Sequence, residues 1–237
     1  MREGLAETRS RAQALILAGR VLVDDAPAEK AGTRIRPEAR LRLRGAEKPF
    51  VSRGGQKLAG ALEDLGVDPR GKRCLDVGAS TGGFTDCLLR AGAREVVAVD
   101  VGYGQLDSRL RADPRVRVLE RTNARHLEPQ AVGEGVELGV CDVSFISLRL
   151  LLPRLVQLAP GAEWLLLVKP QFEVGRERVG KGGVVRDDAD RLAAVDHVRQ
   201  TAEDLGLVAL GTAESRLAGP SGNREIFLHL RARVSPA

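Results

Sequence analysis

The chain has 237 residues and a formal net charge of +5, and this length allows one large domain or two smaller ones around a sizeable core. It contains no signal peptide and no apolar stretch of about 18 residues, which argues against export by that route and against a membrane-spanning helix. Cys74, Cys87 and Cys141 lack metal-ligand spacing and the three histidines are scattered, so we expect no metal site, and we expect buried thiols in a cytoplasmic protein.

The positive charge is concentrated in the first 60 residues. They hold 13 Lys and Arg against 7 Asp and Glu, a net charge of +6, whereas the remaining residues hold 24 against 25. A basic N-terminal part joined to a nearly neutral body favours a polyanionic partner, most plausibly a nucleic acid. The alternative is a solvated arginine-rich surface without a partner.

The first part of the chain, residues 1–46, is predicted to fold as a small module. Its elements follow one another closely: a helix over 10–18, a strand over 21–23, a turn over 24–27 and an alternating strand over 41–44. Ser10 or Thr8 can cap the helix, and Gly19 can end it in a left-handed conformation. Residues 47–51 are expected to form the linker to the rest of the chain.

The segment Ser10-Arg-Ala-Gln-Ala-Leu-Ile-Leu-Ala-Gly-Arg-Val-Leu-Val23 resembles the αL RNA-binding module of a small-subunit ribosomal protein, pseudouridine synthases and tyrosyl-tRNA synthetases. Because this part has few aromatic residues to stack on bases, we expect it to contact the backbone of folded RNA through Arg9, Arg11 and Arg20. Such modules usually begin with a further half-helix. Met1 falls inside that half-helix, so either its first turn is absent or the true start lies upstream.

Residues 52–237 show alternating strand and helix patterns. Helices are predicted over 53–65, 84–91, 105–112, 148–158 and 188–205, and strands over 73–77, 95–100, 116–119, 138–143, 164–168, 207–213 and 225–230. A long loop over 169–187 precedes the last helix. Because β and α units alternate, the sheet is expected to be mostly parallel, and the last two strands fit a closing hairpin with one antiparallel strand.

The stretch Cys74-Leu-Asp-Val-Gly-Ala-Ser-Thr-Gly-Gly-Phe84 joins a buried strand to a helix through a glycine-rich turn. Glycines allow close approach to a ligand and the helix N-terminus offers unpaired N–H groups, as in the first turn of a Rossmann-type sheet. Ser80 replaces the middle glycine of the dinucleotide fingerprint, and Asp76 suggests a ligand with a positive group. Both residues favour S-adenosylmethionine over a nicotinamide dinucleotide, and a plain glycine turn without a ligand is the alternative. The predicted cofactor contacts in this stretch are Asp76, Gly78, Ala79, Ser80, Gly82, Gly83 and Phe84.

Polar residues at predicted strand ends are further site candidates, because these ends meet at the ligand crevice of a doubly wound sheet. Asp100 follows Gly78 by 22 residues, where an acid can bind ribose hydroxyls or else serve as a turn or cap. Asn123 can face an adenine edge, or it is a turn residue. Four charged residues from distant positions can meet at the same edge, although each taken separately fits a solvated charge: Lys57, Asp142, Lys169 and Glu225.

Five motifs carry a resemblance to a known family: Ser52-Arg-Gly-Gly-Gln-Lys57, Leu75-Asp-Val-Gly-Ala-Ser-Thr-Gly-Gly-Phe-Thr85, Cys141-Asp-Val-Ser-Phe-Ile146, Leu167-Val-Lys-Pro-Gln-Phe-Glu173 and Gly180-Lys-Gly-Gly-Val-Val-Arg-Asp187. In this order, over nearly the whole chain, they resemble the TlyA family, which joins an αL-type module to an FtsJ-like methyltransferase domain. The resemblance implies an α/β fold with a Rossmann-like methyltransferase sheet, mostly parallel with one antiparallel strand, and a small N-terminal α+β RNA-binding module.

The resemblance also implies an activity, the transfer of a methyl group from S-adenosylmethionine to a ribose 2′-hydroxyl of ribosomal RNA, as bare RNA or in ribosomal subunits. The Lys-Asp-Lys-Glu tetrad of the family matches Lys57, Asp142, Lys169 and Glu225. Asp142 is also expected to face the cofactor. Arg53 and Lys57 are also expected to contact RNA.

The tetrad can be given chemical roles. A ribose hydroxyl is a poor nucleophile, and Lys169 is the predicted base, because a lysine near another cation in a partly desolvated site can have its pKa lowered. Lys57 would supply that cation, and Asp142 and Glu225 would orient the lysines. The alternatives are a non-catalytic RNA-binding or ribosome-assembly factor, a nicotinamide oxidoreductase, and a pore-forming protein, since members of this family are sometimes labelled haemolysins.

Overall fold

The computed structural model describes residues 5–6, 8–28, 30–36, 38–39, 41–44 and 49–233. The chain divides into two compact units, residues 1–49 and residues 50–237, and this division falls inside the predicted linker over 47–51. The predicted start of the module at Met1 lies outside the described residues. None of the helices within the described ranges is long and apolar enough to cross a membrane.

The first unit combines one helix with a three-stranded antiparallel sheet. Helix α1 spans Arg9–Leu17, and strands β1, β2 and β3 span Val21–Val23, Ala26–Pro27 and Leu41–Leu43, in the order β2-β1-β3. Thr8 caps α1, because its side-chain oxygen accepts the backbone N–H of Arg11 at 3.1 Å. Leu15 on α1 and Leu22 on β1 are buried.

The turn after β1 is tighter than the sequence predicts. Asp24 and Asp25 have positive φ angles of 48° and 67°, as a two-residue hairpin turn requires. Ala26 and Pro27 therefore pair with β1, and the prediction of a turn over 24–27 is wrong for these two residues. Gly19, with φ 64°, lies just after α1 as predicted.

The second unit is a seven-stranded sheet between helices. Its strands are β4 (Arg73–Val77), β5 (Glu95–Val99), β6 (Val116–Leu119), β7 (Leu138–Cys141), β8 (Glu163–Val168), β9 (Leu207–Glu214) and β10 (Ile226–Ala232). Its helices are α2 (Arg53–Leu65), α3 (Gly83–Arg90), α4 (Ser108–Arg111), α5 (Pro129–Val132), α6 (Leu148–Leu158), α7 (Pro170–Glu173) and α8 (Asp188–Asp204). The strand order is β6-β5-β4-β7-β8-β10-β9, and β10 runs antiparallel to both of its neighbours. This confirms the predicted α/β class with a mostly parallel Rossmann-like sheet.

Most predicted elements of this unit agree with the structure within two residues, and three regions differ. The predicted helix over 105–112 shortens to α4, because Gly104 has φ 68° and the Asp107 side chain caps the helix by accepting the Arg109 N–H. Helix α5 is not predicted from the sequence, since four residues are too few to show a repeating apolar pattern. The predicted loop over 169–187 contains α7 and a 3₁₀ helix over Arg176–Arg178.

Apolar residues cover both faces of the sheet, because the strands of a parallel sheet lie between helices. On one face α2 and α3 bury Leu58 and Leu88 in a cluster with Phe227. On the other face α6 and α8 bury Leu155 and Val198. The three cysteines are free and buried in these layers, as predicted: Cys74, Cys87 and Cys141.

The direction in which strands are added reverses at β4. The chain runs outward from β4 through β5 to β6, and it then returns to β7 on the other side of β4. In doubly wound sheets, ligands bind beyond the carboxyl ends of the strands at this reversal. The turn after β4 and the residues after β7 therefore mark the place where a site is expected.

Candidate active site

The glycine turn after β4 lies against the end of β7. The backbone N–H groups of Gly78 and Ala79 donate to the Val99 carbonyl at 2.9 and 3.1 Å, which ties the turn to β5. A Cβ at Gly78 would lie 2.4 Å from the Asp142 carbonyl oxygen, and the φ of 87° at Gly78 also favours glycine. This glycine therefore allows Asp142 to lie beside the turn.

The other two glycines of the turn allow close packing of helices. A Cβ at Gly82 would lie 2.3 Å from a methyl group of Leu110, and one at Gly83 would lie 2.2 Å from the Ser52 hydroxyl. Helix α3 can therefore begin directly against α4 and against the start of α2. Contact of Gly82 and Gly83 with a cofactor stays a prediction.

A first cavity, of about 360 Å³, lies at the carboxyl ends of β4, β5 and β7. Its size falls in the range of small-molecule sites, about 300–1,000 Å³. Val99, Ile146 and Leu151 give it apolar walls. Five of the predicted cofactor contacts line it: Gly78, Ser80, Asp100, Asn123 and Asp142.

Two of these polar residues also organise the backbone around the first cavity. Asp100 accepts the Ser80 N–H at 2.8 Å through Oδ2 and the Gly102 N–H at 2.6 Å through Oδ1. Each carboxylate oxygen keeps a second lone pair, so Asp100 can still bind a ribose hydroxyl. Asn123 caps the 3₁₀ helix over Ala124–His126 by accepting the Arg125 N–H at 3.0 Å. The ribose and adenine contacts stay predictions.

Asp76 is fully buried beneath the turn and is not among the described residues that line the first cavity. Its Oδ2 accepts the Thr85 hydroxyl at 2.6 Å, and its Oδ1 has no hydrogen-bond partner among the described residues. Burial raises the pKa of Asp76 to about 7. A direct contact of Asp76 with the cofactor therefore stays a prediction.

The buried carboxyl of Asp76 predicts a pH dependence of stability. Its folded pKa of about 7 lies above the unfolded value, so its contribution is full below about pH 4 and is lost as the pH rises through 7. The whole loss is roughly 4 kcal/mol, taking about 1.4 kcal/mol per pKa unit, and about 3 kcal/mol of it falls between pH 5 and 8. In urea unfolding between pH 5 and 8, Asp76→Asn should remove this slope, and the exposed-site control Asp196→Asn should keep it. If the free energy of unfolding changes with pH in the same way in wild type and in Asp76→Asn, Asp76 is not the source of the pH dependence.

A second cavity, of about 300 Å³, shares Gly78, Ser80 and Asp142 with the first. Arg53 and Lys57, from the first turns of α2, line it and supply two cationic side chains. The predicted cofactor contacts Ala79, Gly83 and Phe84 also line it. The two cavities thus meet at Gly78, Ser80 and Asp142.

The predicted tetrad forms two ion pairs. Lys169 Nζ lies 2.5 Å from Asp142 Oδ1 and donates to the Ser144 hydroxyl at 2.9 Å. Lys57 Nζ lies 2.5 Å from Glu225 Oε2, and Glu225 is fully buried. Asp142 and Lys57 line the second cavity, whereas Lys169 and Glu225 are not among the described residues that line it. Each acid thus contacts one lysine, and the predicted orienting and catalytic roles stay predictions.

The structure also reveals a residue to which the sequence analysis gave no role. Phe145 lines the first cavity with 91% of its surface exposed, and its φ of 66° is unusual for a residue with a side chain. Its ring centroid lies 5.4 Å from that of Phe172. Two features of the sequence could have indicated Phe145. Aromatic residues make up only 3% of the chain, and this one follows the tetrad aspartate by three positions.

Three of the predicted RNA contacts belong to the first unit. Arg9 and Arg11 are exposed on α1. Arg20 is partly exposed, and its Nε donates to the Arg44 carbonyl at 3.4 Å. Their contact with RNA stays a prediction.

The doubly wound sheet with antiparallel β10 brings a glycine turn and acidic residues together at its carboxyl edge, the arrangement of a Rossmann-like fold. The model of the FtsJ-like methyltransferase family matches residues 50–232, and the chain belongs to this family. The model of the S4 domain matches residues 2–41.

Named relatives cover nearly the whole chain. The 16S/23S rRNA (cytidine-2′-O)-methyltransferase TlyA of Mycobacterium tuberculosis is 52% identical over 239 residues, covering 100% of this chain and 89% of the relative. Hemolysin A of Brachyspira hyodysenteriae is 39% identical over 229 residues, covering 96% of this chain and 95% of the relative. A solved structure from Streptococcus thermophilus that carries the name hemolysin is 40% identical, with a TM-score of 0.77, and covers 99% of this chain and 86% of that one. The resemblance to the TlyA family is therefore confirmed.

Proposed function

We propose that the chain transfers a methyl group from S-adenosylmethionine to a ribose 2′-hydroxyl of ribosomal RNA. The observation that carries the proposal is the position of Asp142, which lines both cavities and pairs with Lys169. A methyl donor in the first cavity and an acceptor nucleotide in the second would meet at this carboxylate. The relative from Mycobacterium tuberculosis, by its name a ribosomal RNA 2′-O-methyltransferase, supports the same chemistry.

The residues of the first cavity suit S-adenosylmethionine. Asp100 has lone pairs free for ribose hydroxyls, Val99 and Ile146 offer apolar surface to a purine, and Asp142 offers negative charge to a sulfonium. When bound, the cofactor supplies the activated methyl group, and the protein supplies binding and orientation.

The cationic groups suit a ribosomal RNA substrate, either bare or in a ribosomal subunit. Arg53 and Lys57 in the second cavity would attract phosphates next to the acceptor ribose. The first unit, which the S4 domain model matches, would add RNA contacts through Arg9, Arg11 and Arg20. A ribosomal substrate also fits the expected cytoplasmic location.

Lys169 would act on the acceptor hydroxyl. Its amine, in the neutral form, would take the proton of the 2′-hydroxyl as that oxygen accepts the methyl group. Asp142 and Ser144 hold the Lys169 amine at 2.5 and 2.9 Å, so the amine is positioned beside Asp142, which lines both cavities, before the substrate binds. The buried Glu225 holds the Lys57 amine in the same way, through an ion pair at 2.5 Å.

The proposal is tested by methyl transfer from labelled S-adenosylmethionine to purified ribosomal subunits and to bare ribosomal RNA. Wild type should label the RNA, and Asp142→Ala should lose the label. Asp113→Ala, which changes an acid paired with Arg115 away from both cavities, is the matched control and should keep it. Cofactor binding and tight RNA binding without transfer to any of these substrates would contradict the proposal and support a ribosome-assembly factor.

Asp100→Ala should weaken cofactor binding. It removes the ribose acceptor and also leaves the N–H groups of Ser80 and Gly102 without their acceptor. Losing a hydrogen bond to a charged group costs about 1.5–3 kcal/mol, so the Kd for S-adenosylmethionine should rise about 10- to 100-fold. Isothermal titration calorimetry measures it, with Asp113→Ala as the control. An unchanged Kd would show that Asp100 is only a cap.

A further inference from the structure

Two connecting segments run side by side at the carboxyl edge of the sheet. Loop 142–148 follows β7, and segment 169–173 follows the neighbouring parallel strand β8. At their near ends, Lys169 contacts both Asp142 and Ser144. This contact belongs to the proposed catalytic site.

The far ends of the two segments are joined by Glu173. Its Oε2 accepts the Ser147 hydroxyl at 2.6 Å, and its Oε1 accepts the Leu148 backbone N–H at 2.7 Å. Glu173 is buried, with 8% of its surface exposed, and it lies at the N-terminus of α6, where a negative charge is favoured. One buried carboxylate therefore caps α6 from a different part of the chain.

The loop between these two joints holds an unfavourable backbone conformation. Phe145 has φ 66°, a left-handed value that a side-chain residue keeps only when its surroundings enforce it. Its neighbours Ser144 and Ile146 line the first cavity, as does Phe145 itself. Lys169 holds one end of the loop and Glu173 holds the other.

We propose that Glu173 is a positioning residue that keeps loop 142–148 in the shape required by the first cavity and by Asp142. The inference rests on the proposed methyl transfer, because its main readout is the rate of that reaction. Glu173 contacts neither the cofactor nor the RNA in this account. It acts through Ser147 and Leu148 on the position of the loop.

The test compares Glu173→Ala and Glu173→Gln with wild type. Alanine removes both acceptors, whereas glutamine keeps an oxygen for the Leu148 N–H and offers an amide to the Ser147 oxygen. Glu177→Ala is the matched control, since the Glu177 side chain is 74% exposed and lies four positions further along the chain. Each variant is measured for kcat, for the Kd of S-adenosylmethionine, for the Kd of RNA and for the folded fraction by circular dichroism.

Glu173→Ala should lower kcat per folded molecule about 10- to 100-fold, as a misplaced reacting group does. Glu173→Ala should also weaken cofactor binding and leave the Kd of RNA unchanged. Glu173→Gln should have nearly the kcat and cofactor Kd of wild type. A purely structural role would lower the folded fraction without changing kcat per folded molecule, and that result would overturn the inference. If Glu173→Ala does not fold, Ser147→Ala is measured instead, because it removes one of the two hydrogen bonds that Glu173 accepts. An unchanged kcat in Ser147→Ala would also overturn the inference.

Failure of the inference and failure of the proposed function are distinguishable. A wild-type enzyme that methylates RNA, beside a Glu173→Ala variant with the same kcat and cofactor Kd, overturns only the inference. A wild-type protein that methylates none of the RNA substrates overturns the proposed function. In that case weaker S-adenosylmethionine binding by Glu173→Ala would still support the positioning role, and unchanged binding would overturn it.

Discussion

Lys169→Ala is expected to lower the rate of methyl transfer by about 10²- to 10⁴-fold, the usual contribution of a positioned general base. The Lys169 amine lies 2.5 Å from Asp142 and 2.9 Å from the Ser144 hydroxyl, so its removal leaves the acceptor hydroxyl without a group to take its proton. The measurement is a single-turnover rate with saturating S-adenosylmethionine and RNA. The Kd of each ligand should change little.

Lys169→Arg separates proton transfer from the effect of charge. Arginine keeps the positive charge beside Asp142, but it cannot act as a base because it stays protonated in proteins. If Lys169 is the base, this variant should be as slow as Lys169→Ala. Substantial activity in Lys169→Arg would contradict the base role and would leave charge as the function of this residue.

Lys57→Met is expected to reduce the free energy of unfolding by about 3–5 kcal/mol, because it leaves a buried carboxylate without its cation. Glu225 has no exposed surface, its Oε2 lies 2.5 Å from Lys57, and its Oε1 has no hydrogen-bond partner among the described residues. Urea unfolding at pH 7 measures the loss.

The double variant Lys57→Met with Glu225→Gln should recover most of that stability, since it removes the unpaired charge. Lys72→Met is the matched control, because the Lys72–Glu163 pair is more exposed and surface pairs contribute about 0–1 kcal/mol. A double variant with additive losses would show that Lys57 and Glu225 are not coupled. RNA methylation should be lost in Lys57→Met and should not be restored in the double variant, because the Lys57 charge is also expected to hold RNA.

The parts of the fold that the sequence predicts are those with a clear hydrophobic period. Strand β4 is buried at all five positions, and α2 spans the predicted residues and ends at Gly66, which adopts the left-handed conformation expected of a glycine cap. Sequence reasoning failed where short-range geometry decides the structure. The pairing of Ala26 with β1 depends on the left-handed conformations of Asp24 and Asp25, which their residue types only permit.

The sequence indicates candidate residues for the site but not how they are arranged. Strand-end positions and the family resemblance indicated Asp142 and Lys169, but only the structure shows the division of the tetrad into two ion pairs. The contact of Glu173 with α6 joins residues 25 positions apart and has no local signature. The position of Asp76 just before the glycine turn predicts a cofactor contact, which stays a prediction, but it does not predict that the side chain is fully buried.

The most direct test of the central claim is mass spectrometry of nucleosides from ribosomal RNA treated with the enzyme and S-adenosylmethionine. We expect a nucleoside with one added methyl group on its ribose, at a level that Asp142→Ala abolishes and Asp113→Ala leaves intact. A methyl group on a base would contradict the assignment of the ribose hydroxyl as acceptor. RNA that gains no methyl group, with cofactor binding verified, would contradict the claim that the chain is a ribosomal RNA methyltransferase.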